Sequence, residues 1–123
     1  MSETQQQPSA SLRGLRQRSE FLAANGGKRV AMPAFVLLVR PRGDGDEALG
    51  MGFTVTKKIG NAVIRNRIKR RFRALARTLY PQDGVAGADH ILIGRSAALT
   101  REHADLVHDL RKALGRIRRD LGR

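Results

Sequence analysis

The chain has 123 residues, with 24 Lys or Arg against 11 Asp or Glu, giving a net charge of +13 and a pI near 11.7. Nineteen of the cations are arginines, a surplus that excludes an ordinary metabolic enzyme as the default reading. It points to a polyanionic partner met by bidentate phosphate contacts. The absence of cysteine excludes disulfides, thiol catalysis and Cys-ligated metal. No apolar run approaches the roughly 20 residues of a membrane span, and the Gln-rich start is not the basic-then-apolar pattern of a signal peptide. A cytoplasmic protein with no membrane partner is expected.

Residues 1–11 carry almost no apolar anchors and read as a disordered tail. Residues 12–123 read as one domain. Ser19 is a candidate cap for a short helix to Asn25, with Phe21 and Leu22 facing inward and Gly26-Gly27 ending it. The apolar run at 34–39 predicts a buried strand, and residues 49–56 a second, the two pairing as an antiparallel hairpin. Between them, Asp44, Asp46 and Glu47 lie in a Gly-rich stretch that reads as the hairpin tip. After a tight connection at 57–60, Asn61 is the candidate N-cap of a helix that Pro81 stops. Residues 90–95 give a further strand. Thr100 is the candidate cap of a last helix with an apolar stripe at Leu106, Leu110, Leu114, Ile117 and Leu121. The order of elements gives a small α/β or α+β sandwich with helices packed on one sheet.

The helix after Asn61 carries the signal. At 100° per residue, Ile64, Ile68, Phe72, Leu75 and Leu79 share a sector of about 80°, the core stripe. Asn66, Lys69, Arg70, Arg73 and Arg77 share a sector of about 100° on the other side, with Arg65, Arg67 and Arg71 on the shoulders. No acid occurs from 48 to 82, where nine Lys or Arg do. A solvated face ordinarily mixes signs. Here Arg65/Lys69, Lys69/Arg73, Arg73/Arg77 and Arg67/Arg71 are like-charge pairs at i,i+4, which together cost about 1–2 kcal/mol. Cations in the first turns also oppose the helix dipole. A helix that tolerates both penalties meets phosphates. Composition and spacing do not say whether these belong to RNA or DNA, and they leave Gly60 open between an ordinary loop glycine and a close approach to phosphate.

Residues 52–73, GFTVTKKIGNAVIRNRIKRRFR, resemble the signature of the bacterial ribonuclease P protein component, with its Arg-Asn-Arg motif at Arg65-Asn66-Arg67. Weaker similarity reaches back to Phe21 and residues 35–37, and forward through residues 91–93 into the last helix. The resemblance implies an α+β fold like the ribosomal protein S5 domain 2-like fold, with a central sheet of about four strands, three helices and a left-handed crossover through the basic helix. It also implies the protein subunit of an endoribonuclease that removes the 5′ leader of precursor tRNA, with catalysis in the RNA subunit and Mg²⁺ held mainly by that RNA. The expected partners are the catalytic RNA and precursor tRNA, with no obligate protein partner. By match of position the RNA-binding role falls on Lys57, Lys58, Gly60, Asn61, Arg65, Asn66, Arg67, Lys69, Arg70 and Arg73. A leader-binding cleft falls on Phe21 and Phe35, for each of which core packing is an equal alternative, while Asn25 and Leu38 stand where an aromatic is often found.

No catalytic or metal-holding side chain is expected in the protein itself. The only close acids are those of the hairpin tip. His103 and His108 are five apart and do not share a helix face, and His90 at a strand start reads as structural. The rival readings are a ribosomal-protein-like RNA-binding protein or RNA chaperone without a role in cleavage, and a DNA-binding protein.

Overall fold

The computed structural model describes residues 11–123. The expected tail lies outside these except for Ser11, whose carbonyl accepts the Leu49 N–H at 2.8 Å. In chain order the elements are β1 (Leu12–Gly14), α1 (Arg18–Ala24), β2 (Lys28–Ala31), β3 (Phe35–Pro41), β4 (Leu49–Thr54), α2 (Ala62–Asp83), β5 (Ala88–Gly94) and α3 (His103–Asp120), with a 3₁₀ turn at Ser96–Ala98.

The fold is α+β, and its sheet has five strands in the order β1-β4-β5-β3-β2. The run at 35–39 is apolar at every position because the strand is covered on both faces. Phe35, Leu37 and Val39 join the main core under α2 and α3, whereas Val36 and Leu38 join a smaller cluster with Leu15, Ala24 and Ile91 under α1. On β5, Leu92 lies in the main core and Ile91 in the smaller cluster, so the same double burial makes it the central strand.

The expected hairpin of the two strands at 34–39 and 49–56 does not form. β5 lies between them, antiparallel to β3 and parallel to β4, and α2 is the crossover that joins β4 to β5. The acidic stretch is therefore a bridge across the start of β5, organised by one guanidinium. Arg42 donates to the carboxylates of Asp44 (3.0 Å) and Asp89 (2.8 Å) and to the carbonyls of Asp46 (2.9 Å) and Ala48 (2.7 Å). The Asp46 N–H and, secondarily, Arg42 hold the Asp44 carboxyl below the usual carboxylate range.

Two edge strands have weak sequence signals. β1 has only three residues, and β2 buries a single residue, Val30. β2 pairs antiparallel with β3, and β1 pairs parallel with β4.

Helix ends differ from expectation by a few residues. α1 is capped by Gln17 rather than Ser19, because Glu20 reaches back to accept the N–H groups of Arg16 and Gln17, each at 3.1 Å. Its inward residues are Phe21 and Ala24, while Leu22 is 54% exposed. α2 continues through Pro81, which forgoes one amide donor in the last turn, and closes with the Gly84 N–H on the Tyr80 carbonyl. α3 is capped at Glu102 rather than Thr100, and its stripe from Leu106 to Ile117 is buried as expected, with Leu121 half-buried.

His90 is fully buried in β5. Its Nδ1–H donates to the Gly50 carbonyl at 3.0 Å, its Nε2 accepts the Val85 N–H at 2.9 Å, and its ring stacks on Tyr80 at 4.6 Å. The bond from the Val85 N–H needs the neutral ring, since the Nε2 of an imidazolium could not accept, whereas Nδ1–H donates in either state. Burial, aided by the charge of Arg42, pushes its pKa down to about 4. An unfolded chain protonates this ring near pH 6.5, so between pH 6.5 and 4 the unfolded state binds more protons. This contribution is whole above pH 6.5 and is lost as pH falls through that window, on the order of 3 kcal/mol by pH 4. Urea midpoints measured from pH 7 to 4 should fall along this curve, and His90→Gln should flatten the fall while lowering stability at pH 7.

Candidate nucleic-acid interface

The turn at 57–60 is locked to α2 from both sides. Asn61 accepts the Ile64 N–H on its side-chain oxygen at 3.0 Å, and the Arg65 Nε–H donates to the Gly60 carbonyl at 3.1 Å. Asn61 is thus a helix cap. A Cβ at Gly60 would sit 3.0–3.1 Å from three carbons of the Ile64 side chain, so packing alone accounts for this glycine. Lys57 and Lys58 are exposed beside it.

The faces of α2 are as the angular reading predicts. Ile68, Phe72, Leu75 and Leu79 are buried and Ile64 is half-buried. Asn66, Arg67, Arg70, Arg73 and Arg77 are exposed, and Arg65, Lys69 and Arg71 are intermediate. Among the described residues, every ion pair is made by cations elsewhere: Arg13, Arg42, Arg101 and Arg111. The cationic face therefore keeps its charge.

Arg71 is the exception in kind. Its guanidinium donates to the carbonyls of Ala98 (2.7 Å), Leu99 (3.0 Å) and Arg101 (2.6 Å), so it serves as a strut under the β5–α3 connection. The same segment is held from α3 by Arg101, whose fork meets the buried Asp109 carboxylate at 2.6 and 3.3 Å. The basic C-terminal end is also partly structural. Arg111 pairs with Asp83 at 3.4 Å, and Arg118 and Arg123 donate to the carbonyls of Asp83 and Ala86.

Phe21 and Phe35, paired by the sequence reading, are not brought together. Phe35 is wholly buried on the α2/α3 side, edge-to-face with Phe72 at 6.1 Å. It is a core residue and cannot stack a base. Phe21 is half-buried on the α1 side, its ring laid over Gly52, where a Cβ would come within 2.8 Å of it. The aromatic that joins it is Phe53, which the sequence reading missed. Phe21, Phe53, Leu15, Gly52, Lys69 and Arg73 are among the walls of a groove of about 480 Å³ between α1 and α2. The Arg73 guanidinium lies 5.7 Å from the Phe53 ring centroid, within cation–π range. The groove opens because β1 stops at Gly14, leaving Gly52–Thr54 without a partner on that edge of β4. The signal for Phe53 was its place four residues before Lys57 in the signature segment. Asn25 is exposed, Leu38 is buried under α1, and His103 and His108 stay exposed on α3.

A small α+β domain whose longest helix turns an unneutralised cationic face outward, beside an aromatic groove, is of the class that meets polyanions. The model of the ribonuclease P family matches residues 10–118. A "Ribonuclease P protein component" of Erythrobacter litoralis is 54% identical over 109 residues, covering 88% of each chain. Another, of Gluconacetobacter diazotrophicus, is 46% identical over 101 residues, covering 81% of this chain and 86% of its own. Among solved structures, the ribonuclease P protein of Thermotoga maritima superposes with a TM-score of 0.70 at 28% identity, covering 85% of this chain and 97% of its own. That of Staphylococcus aureus gives 0.70 at 26%, covering 83% and 92%. The chain belongs to the ribonuclease P protein family and is a protein component of that tRNA-processing endoribonuclease.

The two kinds of arginine on α2 separate by mutation. Arg71→Ala should cost about 2–3 kcal/mol, since it strips donors from three carbonyls of the connection. Arg70→Ala should stay within about 0.5 kcal/mol. Urea unfolding of both variants checks the assignment.

Proposed function

We propose that the chain binds the catalytic RNA of ribonuclease P through the outward face of α2 and the turn before it. In this reading it also holds the 5′ leader of precursor tRNA in the groove beside Phe21 and Phe53, promoting removal of the leader to give the mature 5′ end in the cytoplasm. The observation that carries the reading is the stretch from Lys57 to Arg77. It has nine cations and no acid, and none of the ion pairs among the described residues reaches it.

Lys57, Lys58, Arg67, Lys69, Arg70 and Arg73 supply phosphate contacts, and the Asn66 amide can meet a phosphate or ribose. Asn61 and Gly60 act through the shape of the turn, and Arg65 through its bond to Gly60. In the groove a base stacks on Phe21 or Phe53 while Lys69 and Arg73 meet the flanking phosphates, an arrangement suited to single strands. The neighbouring acids Asp44 and Asp46 are engaged with Arg42, Arg13 and backbone amides rather than presented as ligands. The reading therefore assigns Mg²⁺ mainly to the RNA, where it would supply an activated water. The protein's part is to neutralise charge, which lowers the divalent-ion concentration the folded RNA needs, and to hold the substrate.

The direct test is cleavage of a 5′-extended precursor tRNA by its cognate catalytic RNA at low Mg²⁺, with and without the protein. Strong rescue at the mature 5′ end is expected, and no rescue with RNA binding intact would favour the chaperone-like alternative. If about six to eight phosphates are contacted, log affinity for the catalytic RNA should fall with log salt at a slope of about −5 to −7. A shallow slope in a filter-binding titration would count against phosphate neutralisation.

A further inference from the structure

The outward face of α2 has one small residue at its centre. Ala74 is exposed, and its helical neighbours at i−7, i−4, i−3 and i+3 are Arg67, Arg70, Arg71 and Arg77. Where a long side chain would fill the surface, the methyl group leaves a hollow of about 560 Å³ walled by these four arginines and Arg73. The charges of five arginines lining one small floor repel one another, and an anion seated on that floor offsets the repulsion.

One wall is fixed in advance, because Arg71 is held by the carbonyls of Ala98, Leu99 and Arg101. Arg67, Arg70 and Arg77 make none of the side-chain hydrogen bonds or ion pairs among the described residues and can turn their forks onto the anion, while Arg73 is shared with its contact on Phe53. No aromatic lines the hollow, unlike the groove by Phe21 and Phe53 on the other flank of the helix. Its chemistry fits a phosphate and offers a base nothing to stack on, which suits the backbone of folded RNA rather than a single strand.

We propose that the hollow over Ala74 seats one phosphodiester of the catalytic RNA, and that Arg77, one turn beyond the end of the signature segment at Arg73, is part of the RNA-binding surface. This rests on the reading that α2 binds the catalytic RNA. The seat depends on the smallness of residue 74 as much as on charge. Filling it is a different perturbation from removing an arginine.

The test compares Ala74→Leu, Arg77→Gln, Arg70→Ala and a size control, Ala104→Leu at an exposed site on α3. Each is titrated with the cognate catalytic RNA across a range of salt, and separately with precursor tRNA. Leucine is a good helix former at an exposed position, so the thermal melt of Ala74→Leu should match the parent. Its affinity for the catalytic RNA should drop about tenfold, and its salt slope should become shallower by about one, although no charge has changed. Arg77→Gln should give a similar loss and slope, and Ala104→Leu neither.

If Ala74→Leu keeps the parent affinity and slope while Arg70→Ala binds more weakly, the seat is wrong and the general reading stands. If Arg70→Ala also binds like the parent, the general reading of α2 fails with it. A loss confined to precursor tRNA would overturn the assignment of the seat to the catalytic RNA.

Discussion

Everything this protein offers to a partner depends on α2 being pinned to the sheet. Left alone, the helix would be a poor one, since its i,i+4 cation pairs cost about 1–2 kcal/mol and its first turns oppose the dipole. Against this, burying Ile68, Phe72, Leu75 and Leu79 stabilises by about 1.5–3 kcal/mol for each side chain, and these four are at most 2% exposed. The apolar stripe outweighs the repulsion several-fold. The cations therefore cannot rotate inward or spread apart by fraying, and the charge density is held in place before any partner arrives. An acid on the outward face would relieve the like-charge pairs, yet the helix has none before Asp83 in its last turn.

The sheet order has a consequence for that pinning. With β5 inserted between β4 and β3, the strand entering α2 and the strand leaving it are parallel neighbours, so α2 must run back across the sheet over its full length. A β3–β4 hairpin would have left the helix free to leave the sheet edge. Arg42 enforces the alternative by gathering the 44–48 bridge and Asp89 around one guanidinium, and His90 ties the same strand to Gly50 and Val85. A charged cluster and a neutral imidazole thus anchor the end of β5 nearest the C-terminus of α2, while Arg71 and the Arg101–Asp109 pair anchor the connection that follows its other end.

What was legible in the sequence follows the strength of local patterns. The core stripe of α2, its cap at Asn61 and the buried runs of β3 and β5 rest on periodicity and side-chain chemistry that tertiary contacts did not override. Strand pairing was not legible. Two apolar runs joined by a Gly-rich acidic loop are locally indistinguishable from a hairpin, and the competing partner, β5, lies more than thirty residues further on. Core or cleft could not be decided for Phe35, which the resemblance put in the cleft, for a related reason: in a strand buried on both sides, no polar residue marks which face is which. It packs on Phe72, and Leu38 beneath α1 takes the other side. Arg71 shows the converse limit, since nothing local separates a strut from a free cation when the carbonyls it holds are 27–30 residues away.

The two flanks of α2 present different chemistry within one charge field. On the flank toward β4, Lys69 and Arg73 stand over Phe21 and Phe53, and the open strand edge leaves room for an extended chain whose bases can stack. Toward the β5–α3 connection, arginines surround Ala74 with no ring among them and one guanidinium already fixed. Arg73 and Arg77 line both. Two phosphates on opposite flanks repel each other across the helix, and the arginines shared between the flanks, lying between them, offset that repulsion. Such coupling weakens as salt screens it over about 8 Å at physiological ionic strength, and it needs no movement of the backbone. A single helix with a rigid apolar back can in this way hold a folded RNA and a single strand side by side.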